Sequence, residues 1–180
     1  MTDRTKPLGT EMFADKRQVF NELMAALSMA LDMDARGKLY HAWRVALVGG
    51  RTAKLILPDK VSDVFYAGLL HDIGAMGLSD HIVHLMISGV PSSDPLVLQH
   101  SERGAAIVEE LPGLKEASLY ILEHHEHWDG TGFPFNKSGR QLTVGGQIVA
   151  IADQLDILLR VHRWDEGKQA LEVIKRRSGR

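Results

Sequence analysis

His124–His125–Glu126 is followed at once by Asp129–Gly130 and Gly132–Phe133–Pro134. Two adjacent imidazoles thus close an apolar helical run and open a glycine-rich loop. Successive residues on a helix diverge by about 100°. Two neighbouring histidines can therefore address two neighbouring metal ions from one backbone segment. Upstream, Leu69–Leu70–His71–Asp72–Ile73–Gly74 sets a nitrogen ligand beside a carboxylate, and a carboxylate can bridge two cations. Downstream, Asp153 follows the apolar run Ile148–Ala152. A carboxylate in such a run needs a partner, because burying an unpaired charge is costly. A basic side chain would serve, and with so many histidines a metal would serve better.

Two more histidines lie on helical stretches, His41 in His41–Ala42–Trp43–Arg44–Val45–Ala46 and His100 in His100–Ser101–Glu102–Arg103–Gly104. Either one alone would pass for an ordinary core or surface residue. His81 and His84, on a short stretch between the motifs, read as surface residues. The chain of 180 residues holds nine histidines and no cysteine. Disulfides and thiolate zinc sites are excluded, so any metal must be held by His, Asp or Glu. A formal charge of -2 gives no bulk basic field for nucleic acid. No apolar run approaches the roughly 20 residues that span a bilayer. The N-terminus also lacks a signal-peptide core, so a cytoplasmic location is expected.

The elements that would position these groups are nearly all helical. Thr10 can cap a helix to about Leu31, and Asp34 another from Ala35 to Leu57, stopped by Pro58. Asp59 can cap a third that ends near Asp72–Gly74. A short helix over Ser79–Ile87 precedes a turn-rich loop. Pro95 sits at a favoured first helical position, and its helix runs to Leu111. The next spans Leu114 to His125. After the loop over 126–142, Thr143 caps a long helix to Arg160, and a last one covers Glu166–Arg176. No alternation persists long enough for a sheet.

Taken together, the ordered motifs resemble the HD-GYP branch of the HD-domain metal-dependent phosphohydrolases. The likeness covers roughly residues 38–176. It implies an all-α HD-domain helical bundle over 34–180, lacking a final C-terminal helix, behind an N-terminal helical extension over 1–33. It also implies two divalent ions, Fe or Mn before Zn or Ni. His41, His71, Asp72 and Asp153 would hold one ion, and His100, His124 and His125 the other, with Asp72 as the bridge. Asp72 and Asp153 are then the expected catalytic carboxylates. The expected substrate is cyclic di-GMP or a related cyclic dinucleotide, met by Arg103, Asp129, Gly130, Gly132, Phe133, Pro134, Lys137, Arg160 and Arg163.

This sequence departs from the family pattern at four places. Ala75 replaces the lysine of HDIGK, a cation expected near the substrate phosphate. Gly37 stands where members with three metals carry a glutamate, so two ions are expected. Phe133 keeps the ring of the GYP tyrosine without its hydroxyl. Arg160–Val161–His162–Arg163–Trp164 matches the usual Arg-Pro-Tyr-Arg stretch poorly. Weak hydrolysis is therefore expected, rising when Ala75→Lys restores a cation, unless Arg103, Lys137, Arg160 or Arg163 already fills that role. Two rival functions stand beside the phosphodiesterase. One is an inactive module that binds a nucleotide or a signalling protein. The other is a phosphohydrolase of a different nucleotide or phosphate ester.

Overall fold

A computed structural model describes residues 15–33, 40–77, 95–161 and 167–177. Seven α-helices carry these residues: α1 Lys16–Met33, α2 His41–Ile56, α3 Val61–Leu70, α4 Pro95–Glu109, α5 Lys115–Glu123, α6 Val144–Val161 and α7 Gly167–Arg177. Among the described residues there is no strand, only an isolated bridge between Asp129 and Ser138 in the loop after α5. The expected all-α bundle is thus the observed one. No described helix is long and apolar enough to cross a membrane.

The core runs through α2, α3, α5 and α6. Val45, Ala46 and Ala53 of α2 meet Val64, Ala67, Leu69 and Leu70 of α3, with Ile121 from α5 and Ile148, Val149 and Ala152 from α6. Burying a side chain such as Leu69 or Leu70 stabilises the fold by about 1.5–3 kcal/mol. Small residues set how closely α2 and α3 approach. A Cβ on Gly68 would come within 2.8 Å of the Ala46 Cα, so only glycine allows this crossing. α1 lies on the outside of this pair, where Phe20 meets Tyr66 edge-on at 5.7 Å and Met24 enters the core.

Several element ends differ from the sequence expectation, and three of the differences concern the site. α2 begins at His41, behind a left-handed Tyr40 with φ 72; the expected cap Asp34 lies outside the described residues. His41 is therefore the first residue of its helix. Likewise α3 stops at Leu70, so His71 and Asp72 occupy a turn before the short 3-10 segment Ile73–Ala75. α5 ends at Glu123, so His124 and His125 sit on the turn beyond it. The periodic apolar pattern runs on past these ends, but His124 Nδ1 bonds back to the Ile121 carbonyl. That carbonyl is one that a helix end leaves unpaired. Thr143 does cap α6, its hydroxyl accepting the Gly146 N–H at 3.1 Å. The expected helix over Ser79–Ile87, with His81 and His84, lies outside the described residues.

Candidate metal centre

All seven sequence-marked candidate ligands come together, from five separate segments. Two groups form. His41, His71 and Asp153 each offer an atom within 4.8 Å of the others, and so do His100, His124 and His125. Asp72 lies between the groups. Its Oδ2 is 3.2 Å from His71 Nε2 and 3.9 Å from His41 Nε2, while its Oδ1 is 3.7 Å from His100 Nε2. One carboxylate thus turns one oxygen to each group. Asp153 Oδ1 lies 3.3 Å from His41 Nε2 and 3.8 Å from His71 Nε2.

The tautomers are set from behind. His71 Nδ1 lies 2.9 Å from the Gly68 carbonyl, and His100 and His124 Nδ1 bond the carbonyls of Val97 and Ile121. A carbonyl only accepts, so each Nδ1 carries the proton and donates. His41 Nδ1 donates in the same way to Asp156 Oδ2 at 2.7 Å. In the neutral rings the Nε2 lone pairs are then left facing inward. His41 and His71 Nε2 are buried without a hydrogen-bond partner among the described residues. His100 Nε2 faces His124 Nε2 at 3.2 Å and His125 Nε2 at 3.0 Å. His100 and His124, whose protons sit on Nδ1 when neutral, thus face each other with lone pairs that repel unless a cation or a proton lies between them. Orphaned acceptors, two inward carboxylates and pre-set tautomers are what a pair of divalent ions requires.

Electrostatics divides the two groups. Burial works against a charged His41, but Asp153 and Asp156 outweigh it and raise its pKa to about 9. Burial also opposes a charged His71, and there Asp72 and Asp153 prevail, raising it to about 10. Burial opposes a charged Asp72 too, yet attraction to His71 holds its carboxyl well below the usual range. Burial and neighbouring imidazoles push the other way at His124, lowered to about 3, and lower His100 and His125 as well. At pH 8 His41 and His71 are protonated when metal-free, while His100, His124 and His125 are neutral. Metal and protons compete for the same nitrogens, so loading the first group at pH 8 should displace a proton from each of His41 and His71, and loading the second none. Affinity of the first group should accordingly fall as pH drops from 9 toward 6. Dye-monitored proton release during metal titration checks this; equal release from both sites would contradict it.

Asp156 is a candidate supporting residue that the sequence reading missed. It sits one turn after Asp153 on α6, is buried, and is shared by His41 and the Arg44 guanidinium. The signal was present, since two aspartates three apart in an apolar helix share a face. Carboxylates behind a ligating histidine typically govern about 10–100-fold of metal affinity. Asp156→Asn is expected to lose about that much at the His41 group and little at the other. Stepwise metal titration would show it, and uniform loss at both groups would contradict it.

The glycine-rich loop supports the histidine pair. Phe133 stacks on His125, ring centroids 4.8 Å apart and planes 26° apart, while its N–H donates to the His125 carbonyl at 3.1 Å. Gly132 is wedged so closely that a Cβ would lie 2.3 Å from His127 N. Glu126, quoted in the motif but given no role, is buried and accepts from Phe135 N and Lys137 N at 2.7 and 2.9 Å. Glu123, also missed, accepts from Thr143 N and Oγ1 and from Lys137 Nζ. Two buried glutamates therefore bracket His124–His125 and tie them to the loop and to α6. Asp129 is exposed and spends its carboxylate on Thr131, while Gly130 takes φ 79 in the same turn. Pro134 is half-buried beyond the Phe133 ring, joined to it by a cis peptide bond. Arg103 lies on α4 against Met76. The Arg160 side chain and all of Arg163 lie outside what is described.

Comparison with known proteins supplies relatives. A family model described as HD domain matches residues 10–180. The chain is 29% identical over 171 residues to a cyclic di-GMP phosphodiesterase of Thermotoga maritima, covering 92% of this chain and 46% of that protein. It is 31% identical over 151 residues to a 3'3'-cGAMP-specific phosphodiesterase of Vibrio cholerae, covering 82% of this chain and 29% of that one. Thus it spans less than half the length of these relatives. A solved cyclic GMP-AMP-specific phosphodiesterase from Vibrio cholerae shares the fold, with a TM-score of 0.69 at 24% identity, over 88% of this chain and 44% of the other.

Proposed function

The chain belongs to the HD-domain family, and on that premise we propose that it is a metal-dependent phosphodiesterase of cyclic di-GMP or a closely related cyclic dinucleotide. The observation that carries this reading is the placement of Asp72, one carboxylate oxygen toward each of two ligand groups. His41, His71, Asp72 and Asp153 would hold one ion, and Asp72, His100, His124 and His125 the second. This mixed nitrogen and oxygen set suits Fe or Mn, with Zn or Ni as alternatives. When bound, such ions supply Lewis acidity toward the phosphate and lower the pKa of the attacking water.

The chain's own residues do the rest by holding position. Asp156 aims His41, Phe133 fixes the plane of His125, and backbone carbonyls aim His71, His100 and His124. Rigid donors avoid reorganisation during the reaction, which is where preorganised sites gain most. Substrate choice is supported by the relatives, two of which act on cyclic dinucleotides by name.

The test is turnover by metal-replete protein of cyclic di-GMP, of 3'3'-cGAMP and of a simple phosphomonoester. A linear dinucleotide product that disappears on chelation is expected. Tight binding without cleavage would turn the reading to a non-catalytic module. Cleavage of the monoester alone would turn it to a different phosphohydrolase.

A further inference from the structure

Ala75 leaves the turn after Asp72 without the cation that the motif pattern leads one to expect, yet a cation stands against that turn. The 3-10 segment Ile73–Ala75 packs backbone to backbone on α4. A Cβ on Gly74 would lie 1.9 Å from the His100 carbonyl oxygen and 2.4 Å from Gly104 N. Arg103 falls between those two α4 residues in sequence, three positions beyond His100. Residues three apart on a helix share a face, so Arg103 projects from the same side as a candidate ligand. Its Nη2 donates to the Met76 carbonyl at 3.3 Å, which holds the guanidinium beside the residue that follows Ala75. Its Nη1 is buried without a hydrogen-bond partner among the described residues.

We propose that Arg103 is the phosphate-contacting cation of this site and supplies the charge that Ala75 lacks. Access supports this. The Asp72 side chain is 15% exposed, against 0–4% for His41, His71, His100 and Asp153. A phosphate would therefore approach past Asp72, on the turn whose far end Arg103 contacts. An unmade buried donor is unfavourable, and a guanidinium offers a phosphate paired, charge-assisted hydrogen bonds. Two other described cations are paired with carboxylates, Lys137 with Glu123 and Arg44 with Asp156.

The proposal rests on the phosphodiesterase reading, and its test separates the two. Arg103→Gln, Ala75→Lys and the double variant are compared with the parent at matched metal content, for kcat, KM and cyclic di-GMP binding. Arg103→Gln should lower kcat/KM about 100-fold, the usual loss of one preorganised donor. In that background Ala75→Lys should recover about tenfold or more, whereas in the parent it should change little. A merely structural arginine would not be rescued by a lysine on a different segment. Unchanged kcat/KM in Arg103→Gln, no rescue, or loss of metal along with activity would overturn it. If the parent binds cyclic di-GMP without cleaving it, weaker binding in Arg103→Gln upholds the arginine's role while the phosphodiesterase reading falls. Unchanged binding, or no binding at all by the parent, overturns the proposal.

Discussion

Asp72→Ala is expected to abolish hydrolysis and to empty both ligand groups together. Its two oxygens face different histidine groups, at 3.2 Å from His71 Nε2 and 3.7 Å from His100 Nε2. Removing it takes a ligand from each ion and the only carboxylate positioned to bridge them among the described residues. Several kcal/mol of transition-state stabilisation would be lost, and each 1.36 kcal/mol is tenfold, so turnover should fall on the order of 1000-fold. Metal analysis of the purified variant should show less than half the parent content at both sites. His81→Ala and His84→Ala, at positions that read as surface residues in the sequence, should keep full content and activity. Equal metal loss in all three variants would sink the ligand assignment.

Gly74→Ala should be the most damaging of the small substitutions around the site. The new methyl would meet backbone, at 1.9 Å from the His100 carbonyl oxygen and 2.4 Å from Gly104 N. Backbone cannot rotate away as a side chain can. The turn carrying His71–Asp72 must therefore part from the helix carrying His100. Overpacking of this kind costs about 3 kcal/mol at the upper end. Because the parting widens the gap that Asp72 spans, affinity at the His100 group should fall with stability. Gly77→Ala is the control. That residue has φ 90 but nothing within 4 Å of a Cβ, so only backbone strain applies, on the order of 1 kcal/mol. Urea denaturation of the metal-free proteins distinguishes them, and equal midpoints would contradict the contact described.

The helices were legible because their apolar periodicity is strong and their stops are chemical, such as Pro58 after α2 and Thr143 before α6. The ends that matter most were not. His71–Asp72 and His124–His125 sit on turns, where apolar neighbours continue the helical pattern although the backbone has left it. The ligand types could be marked from the motifs, but their grouping depends on which Nε2 atoms converge, and that is a tertiary fact. Asp156, Glu123 and Glu126 were passed over for a related reason. A carboxylate that supports a ligand looks in sequence like any helix or loop acid until its partner, here His41, Thr143 or Phe135, is brought to it. The loop residues show the converse. Asp129 and Lys137 stand in the sequence only as candidate substrate contacts, and the fold adds partners that no spacing announces, Thr131 for Asp129 and Glu123 for Lys137.

The most direct test is anomalous diffraction from crystals of the metal-loaded protein, collected on either side of the metal's absorption edge. Two peaks are expected, one among His41, His71 and Asp153 and one among His100, His124 and His125, with a different Asp72 oxygen bound to each. A single peak, or two peaks with Asp72 bound to neither or to one alone, would contradict the shared two-metal centre.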